Sequence, residues 1–354
     1  MSLPSSSLLN VNKLSSVFNN TSATYKYYWL LSIIETVEQG KRVIAKKELF
    51  ASMLANAWYT VNYFHVSFGG QDMIQQAIGN IVEIEMIPII ARKDHVVQIL
   101  LSSDNKKTIA LLNHFDKNVP HWFLTPWVSK NKGENYSQYQ NRIYTESQRF
   151  HNQSLYALYS DRIEVNPMWL NYLKSNARIL KDFCYWNLSN FLQVRNPNVP
   201  DIPGKLIKPP MRGSLTNQRK NYWDVVFREL GTVDCIYTDT KLSIQRYALD
   251  HFVPHAFVSH DLMWNLVPID TVYNSIKSDK LPSMDIHFDK FYDLQKTAFE
   301  IVSKFNSKSK LLEEYFYLFN LSEDKNNFCY DQLKNTISPL ISIAANNGFQ
   351  YYQK

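Results

Sequence analysis

The chain has 354 residues, about two domains at ordinary domain size. Hydrophobic residues make up 45% and charged residues 20%, a balance that excludes a wholly disordered chain. Only 9 glycines are present, which argues against glycine-linker and phosphate-loop architectures, and 38 basic against 32 acidic residues leave a net charge of +6.

Residues 1–19 are rich in Ser and Asn and read as loose chain. They carry no apolar run of signal-peptide length, and no stretch of 18 apolar residues occurs anywhere, so the expectation is a cytoplasmic protein with no membrane partner. The three cysteines, Cys184, Cys235 and Cys329, are too few and too far apart for a disulfide framework or a four-cysteine zinc site. The first predicted helix spans 23–39, where Tyr27, Leu30, Leu31, Ile34 and Val37 recur at helical spacing, and Gly40 ends it. Further helices are predicted over 46–61 and 71–81. The second of these follows Gly69-Gly70, a pair that could hold an anion but reads better as a plain loop, since no Lys or Ser/Thr follows at phosphate-loop spacing. Residues 96–112 read as a hairpin, with two helical pieces fitting almost as well. Residues 119–127 read as a packed aromatic loop, 133–155 as a polar surface helix or ordered loop, and 167–193 as an aromatic-rich helical stretch.

The chain then changes character. Five of the 14 prolines fall in 195–214, which predicts neither helix nor central strand there, and a domain boundary over 195–220. Arg195, Lys205, Lys208, Arg212, Arg219 and Lys220 are opposed only by Asp201 in that stretch. Charge alone favours a solvated spacer over a polyanion contact. After 285 the chain reads as helical again, over 288–305 and 309–321, with Phe291, Leu294, Ala298 and Ile301 forming a packing stripe.

The chemistry-bearing stretch is 235–282. Four of the nine histidines lie within 251–287. Asp250-His251 at the end of a strand can flank one reacting phosphate. A loop from Pro254 to Leu262 follows, and Trp264-Asn265-Leu266-Val267 can pair back as a second strand. Asp270 or Thr271 can then cap a helix with Asn274 about one turn in. A carboxylate and an amide carbonyl are hard oxygen ligands suited to Mg²⁺, and a neutral imidazole can take a proton from water. These groups together suit phosphodiester cleavage.

Asp250-His251 with Val253-Pro254, then Trp264-Asn265-Leu266, then Asn274 followed by Lys277-Ser278, Lys280 and Pro282, resembles the HNH (ββα-metal) endonuclease family. It is similar in particular to the HNH nuclease domain of RNA-guided CRISPR effectors. The resemblance covers about 233–283. It implies His251 as general base, Asp250 and Asn274 as metal ligands, and Asn265 as the residue holding the loop that orients the histidine. It implies Mg²⁺, with Mn²⁺ as the alternative. Lys277, on the helical face of Asn274, would reach a phosphate, and Lys280, His255, Lys205, Lys208 and Arg212 are the other candidate nucleic-acid contacts. His255 and His260 read equally as surface decoration of the loop. Many relatives carry a Cys-x-x-Cys knuckle before the Asp-His pair. Here Thr238 stands at the second position, so no structural zinc is expected, and Ile236, Tyr237 and Leu242 would have to hold that hairpin by packing.

The expected fold is α+β. A largely helical N-terminal domain (1–194) and a basic Pro-rich linker (195–220) precede the ββα-metal module (221–285) and a C-terminal helical extension (286–354). Residues 1–194 show no second catalytic motif and are assigned to specificity or to contact with a protein partner or a second copy of the chain. The expected function is a metal-dependent DNA endonuclease acting in phage defence or restriction. An RNA-cutting, toxin-like nuclease and a catalytically silent nucleic-acid-binding scaffold are the alternatives.

Overall fold

The structure is a computed structural model and describes residues 2–207, 213–319 and 328–352. The chain forms two compact units. One runs to Pro197 and takes in a segment beginning at Ile202; the other holds Asn198–Asp201 and the chain from Pro210 onward. The fold is α+β: a largely helical N-terminal unit, then a small ββα module followed by C-terminal helices.

In the first unit the helix Tyr25–Glu38 is apolar on nearly every side, and Tyr27 to Ile34 are all buried. Such a helix needs neighbours all round. Lys46–Asn62 and Ala177–Arg195 pack against it. Residues 93–113 are two helices, Lys93–Ser102 and Lys106–Asn113, and not a hairpin. Asn105 decides the matter by accepting a hydrogen bond from the Lys107 amide and capping the second helix. The helix after Gly69-Gly70 starts at Met73, and the Asp72 carboxylate accepts from the Ile74 amide. That amide is therefore satisfied by the chain itself, and the pair of glycines is a plain turn. Pro120–Phe123 is a short helix with Pro at its start where a packed loop was expected. Tyr136–Gln148 is the polar surface helix, opened by a capping box between Asn135 and Gln138. A small antiparallel sheet goes unheralded by the sequence reading: Arg162–Val165 pairs with Val43–Ala45 on one side and Tyr156–Leu158 on the other.

The proline-rich stretch is not free of helix. Ile202–Ile207 is helical, with Pro203 in its first turn, where the missing N–H costs nothing. Lys205 on this helix is buried, 1% exposed, with its ammonium 5.9 Å from the Phe64 ring centroid and its carbonyl accepting from Thr60. It belongs to the packing of the first unit and does not present its charge to a polyanion.

In the second unit Thr232–Asp234 pairs with Lys241–Ser243, and Ala248–His251 pairs antiparallel with Leu266–Ile269. Ile236, Tyr237 and Leu242 are buried and pack the first hairpin. Asp270 caps the next helix, Thr271–Lys277, by accepting from the Val272 and Tyr273 amides. Three helices follow, Met284–Phe305, Lys310–Phe319 and Tyr330–Asn346. The first of them holds the back of the second hairpin. Phe252 stacks on Phe291 at 4.0 Å between ring centroids, and buried Gln295 donates to the Leu266 carbonyl at 2.8 Å. No described helix is long and apolar enough to cross a membrane.

Candidate active site

Asp250 and His251 end the strand Ala248–His251, opposite Val267 and Leu266. Neighbours on a strand face opposite ways. Asp250 accordingly turns toward the helix Thr271–Lys277 and His251 toward the loop that follows. Both are buried, at 3% and 2% exposure.

Asn265 closes that loop. Its Oδ1 accepts from the Val253 amide at 2.8 Å and its Nδ2 donates to the Val253 carbonyl at 2.9 Å, while its own carbonyl accepts from the Phe252 amide. Only a primary amide offers a donor and an acceptor in this arrangement, and the side chain is fully buried. The loop then makes one helical turn, His255–Val258, and reverses at Ser259, whose φ is +59°. The reversal returns Asp261 to His251, with Oδ1 2.9 Å from Nε2. His255 Nε2 stands 3.8 Å from the same oxygen, and the His251 and His255 rings are 5.1 Å apart. The bond from His251 holds the Asp261 carboxyl below its usual range against the opposing effect of partial burial, and the neighbouring His255 and His260 add to it.

Lys277 is not at the surface. Its side chain is 1% exposed, its ammonium lies 2.7 Å from Asp250 Oδ2, and it donates to the His251 carbonyl at 3.2 Å. The Tyr237 ring lies 5.5 Å from the same ammonium and stacks on Tyr273. The expectation that Lys277 reaches a phosphate therefore fails in this structure: its helix turns it inward against the strand. Asn274, one turn earlier on that helix, is half-buried. Lys280 is partly exposed, 5.7 Å from the Tyr352 ring centroid, with its ammonium 3.5 Å from the Ile276 carbonyl. Lys208 and Arg212 lie outside the described residues. Asp261 is the residue that sequence reasoning missed. An acid in an irregular loop has no periodicity to mark it, and only its place directly after His260 could have drawn notice.

Among the described residues no three His, Cys, Asp or Glu side chains are disposed to hold a metal ion. The donor set that remains is one carboxylate and one amide. Asp250 Oδ2 is buried against the Lys277 ammonium at 2.7 Å. The carboxylate and the amide are both hard oxygen donors, the kind a divalent cation such as Mg²⁺ takes, with water completing the set.

A family model for HNH endonucleases matches residues 235–283. No curated protein and no solved structure compared with the chain matches it. The matched segment takes in the second strand of the first hairpin, the whole of the second hairpin, the Asn265-clamped loop and the helix carrying Asn274 and Lys277, and with that match residues 235–283 are an HNH endonuclease module within a larger, mostly helical chain.

Proposed function

We propose that this module hydrolyses phosphodiester bonds of DNA with the help of a divalent metal ion. The observation that carries the reading is the buried His251 imidazole at a strand end, next in the chain to buried Asp250 and bonded to Asp261 in the loop that Asn265 clamps. His251 takes a proton from water. The water oxygen forms the new bond to phosphorus, and the bond to the leaving oxygen breaks, that oxygen taking a proton from solvent. Asp250 and Asn274 are the residues that would hold the ion, Mg²⁺ or Mn²⁺. When bound, the ion offsets the charge that gathers on the phosphate and the leaving oxygen. His255 and Lys280 are the remaining sequence-derived candidates near the site for phosphate contact. Defence against foreign DNA or restriction is the setting we assign, by analogy with other nucleases that carry a large appended domain.

The test is cleavage by the full chain of supercoiled plasmid, linear duplex, single-stranded DNA and RNA, with Mg²⁺, with Mn²⁺ and with EDTA. DNA cutting that stops in chelator is the expected result. Cutting confined to RNA would replace DNA by RNA as substrate, binding without cutting would mark a silent scaffold, and full activity in excess chelator would remove the metal.

A further inference from the structure

His251 Nε2 meets the Asp261 carboxylate, which can only accept, at 2.9 Å. The loop that carries Asp261 is anchored on both sides. Gln218 donates to the Asp261 carbonyl at 3.4 Å, and the Met263 amide donates to Glu314. A glycine, Gly213, lies against the other carboxylate oxygen: a Cβ there would stand 3.5 Å from Oδ2. The loop is thus held near Asp261 by Gln218 and, two residues on, by Glu314, while the Asp261 side chain is 29% exposed and remains in contact with water. A carboxylate can only accept, so the shared proton belongs to His251 Nε2 when the ring is neutral. That leaves the lone pair on Nδ1. A free imidazole in water holds its proton on either nitrogen; the contact selects one form.

We propose that Asp261 is a positioning residue for the reaction: through its contact with Nε2 it fixes the His251 ring as the Nε2–H tautomer and so leaves Nδ1 as the nitrogen that can take a proton from water. The arrangement is the logic of a base oriented by a carboxylate, here supplied from the loop between the two strands. His255 and His260 also face Asp261. His255 Nε2, at 3.8 Å, is too distant to compete for the same oxygen. The inference rests on the reading of His251 as the base, but its structural half can be tested alone.

The experiment uses the full chain labelled with ¹⁵N-histidine, free of nucleic acid, at a pH where imidazoles are neutral. Long-range ¹H–¹⁵N correlation reads the tautomer, and the His251→Gln variant identifies the signal. The expected result is the Nε2–H form in the wild type and a mixture in Asp261→Ala. In parallel, kcat on the substrate found above should fall about a hundredfold or more in Asp261→Ala with KM little changed. Asp261→Glu should recover part of both the tautomer preference and kcat. An Nδ1–H wild type, or an Asp261→Ala variant that keeps the wild-type tautomer and kcat, overturns the proposal. If no nucleic acid is cut by any form while the tautomer is locked by Asp261, the nuclease reading fails and the positioning contact stands.

Discussion

Both units of the molecule bury histidine, and two of these residues, His121 and His251, could hardly differ more in circumstance. His121 in the N-terminal unit sits on the short helix Pro120–Phe123, fully buried beside Trp122, with Nε2 3.3 Å from the Tyr136 hydroxyl. Burial pushes its pKa down to about 4, the nearby Asp116 notwithstanding, so it is neutral across the physiological range. His251 is buried to nearly the same degree but faces a carboxylate at 2.9 Å and adjoins the Asp250–Lys277 pair. Burial alone makes a histidine a polar filler of the core. A carboxylate partner that selects its tautomer, at a strand end next in the chain to buried Asp250, makes it a candidate for chemistry.

Substitution should separate the two histidines sharply. His251→Ala is expected to lower DNA cleavage by about 10²–10⁴-fold while binding persists, since the imidazole acts on water. His121→Ala should leave cleavage near the wild-type level and weaken only the N-terminal unit. Equal losses of cutting in both variants would break the comparison.

The second contrast sets a buried ion pair against an exposed one. Lys277→Met leaves Asp250 charged and alone in the core, which should cost about 3–5 kcal/mol in denaturant unfolding of the C-terminal unit. Lys241→Met, at a pair whose side chains are 71% and 63% exposed, should cost no more than about 1 kcal/mol. A small loss at Lys277 would mean that its ammonium spends its time in solvent, and the phosphate contact would return. Asn265→Ala comes next. It removes both bonds to buried Val253, and a loss of about 2–3 kcal/mol is expected with cleavage impaired, because the loop carrying Asp261 is no longer clamped. Retained stability in that variant would show that the loop is held by packing.

The stretch that carries the candidate site is nearly linear. Asp250, His251, Asn265, Asp270 and Asn274 follow one another within a single hairpin and helix, so spacing carries the arrangement. Long helices such as Tyr25–Glu38 were legible from period alone. The three-stranded sheet was not: Val43 pairs with Glu164 across most of the N-terminal unit, and strands of three or four residues leave too short a pattern to detect. Helix spacing placed Lys277 on the face of Asn274, but spacing cannot say which face turns inward, and the charge argued for solvent. The Ile202–Ile207 helix was lost to a count of prolines that ignored position, since Pro203 in a first turn is harmless. Asp261 was lost because a loop can return a residue to any point, and nothing in composition records where.

The smallest expected effect follows from the pKa of His121, and it sharpens the comparison without touching the active site. The folded value is about 4 and the ordinary value 6.5, so as pH falls the unfolded chain binds the proton first. Stability of the N-terminal unit is therefore full above about pH 6.5 and is lost between 6.5 and 4, below which the curve is flat for this group. The loss is read as a fall in the Tm of the N-terminal unit over that window. Tryptophan fluorescence is the natural readout, because Trp29, Trp58, Trp122, Trp127, Trp169 and Trp186 lie in this unit and only Trp223 and Trp264 in the other. His121→Gln keeps a polar side chain that can bond to Tyr136 but cannot titrate. The pH dependence of Tm between 6.5 and 4 should flatten in that variant. If wild type and His121→Gln lose Tm in parallel as the solution is acidified, the buried imidazole is not the group responsible, and the proton uptake would have to be sought at another titrating group of the same unit.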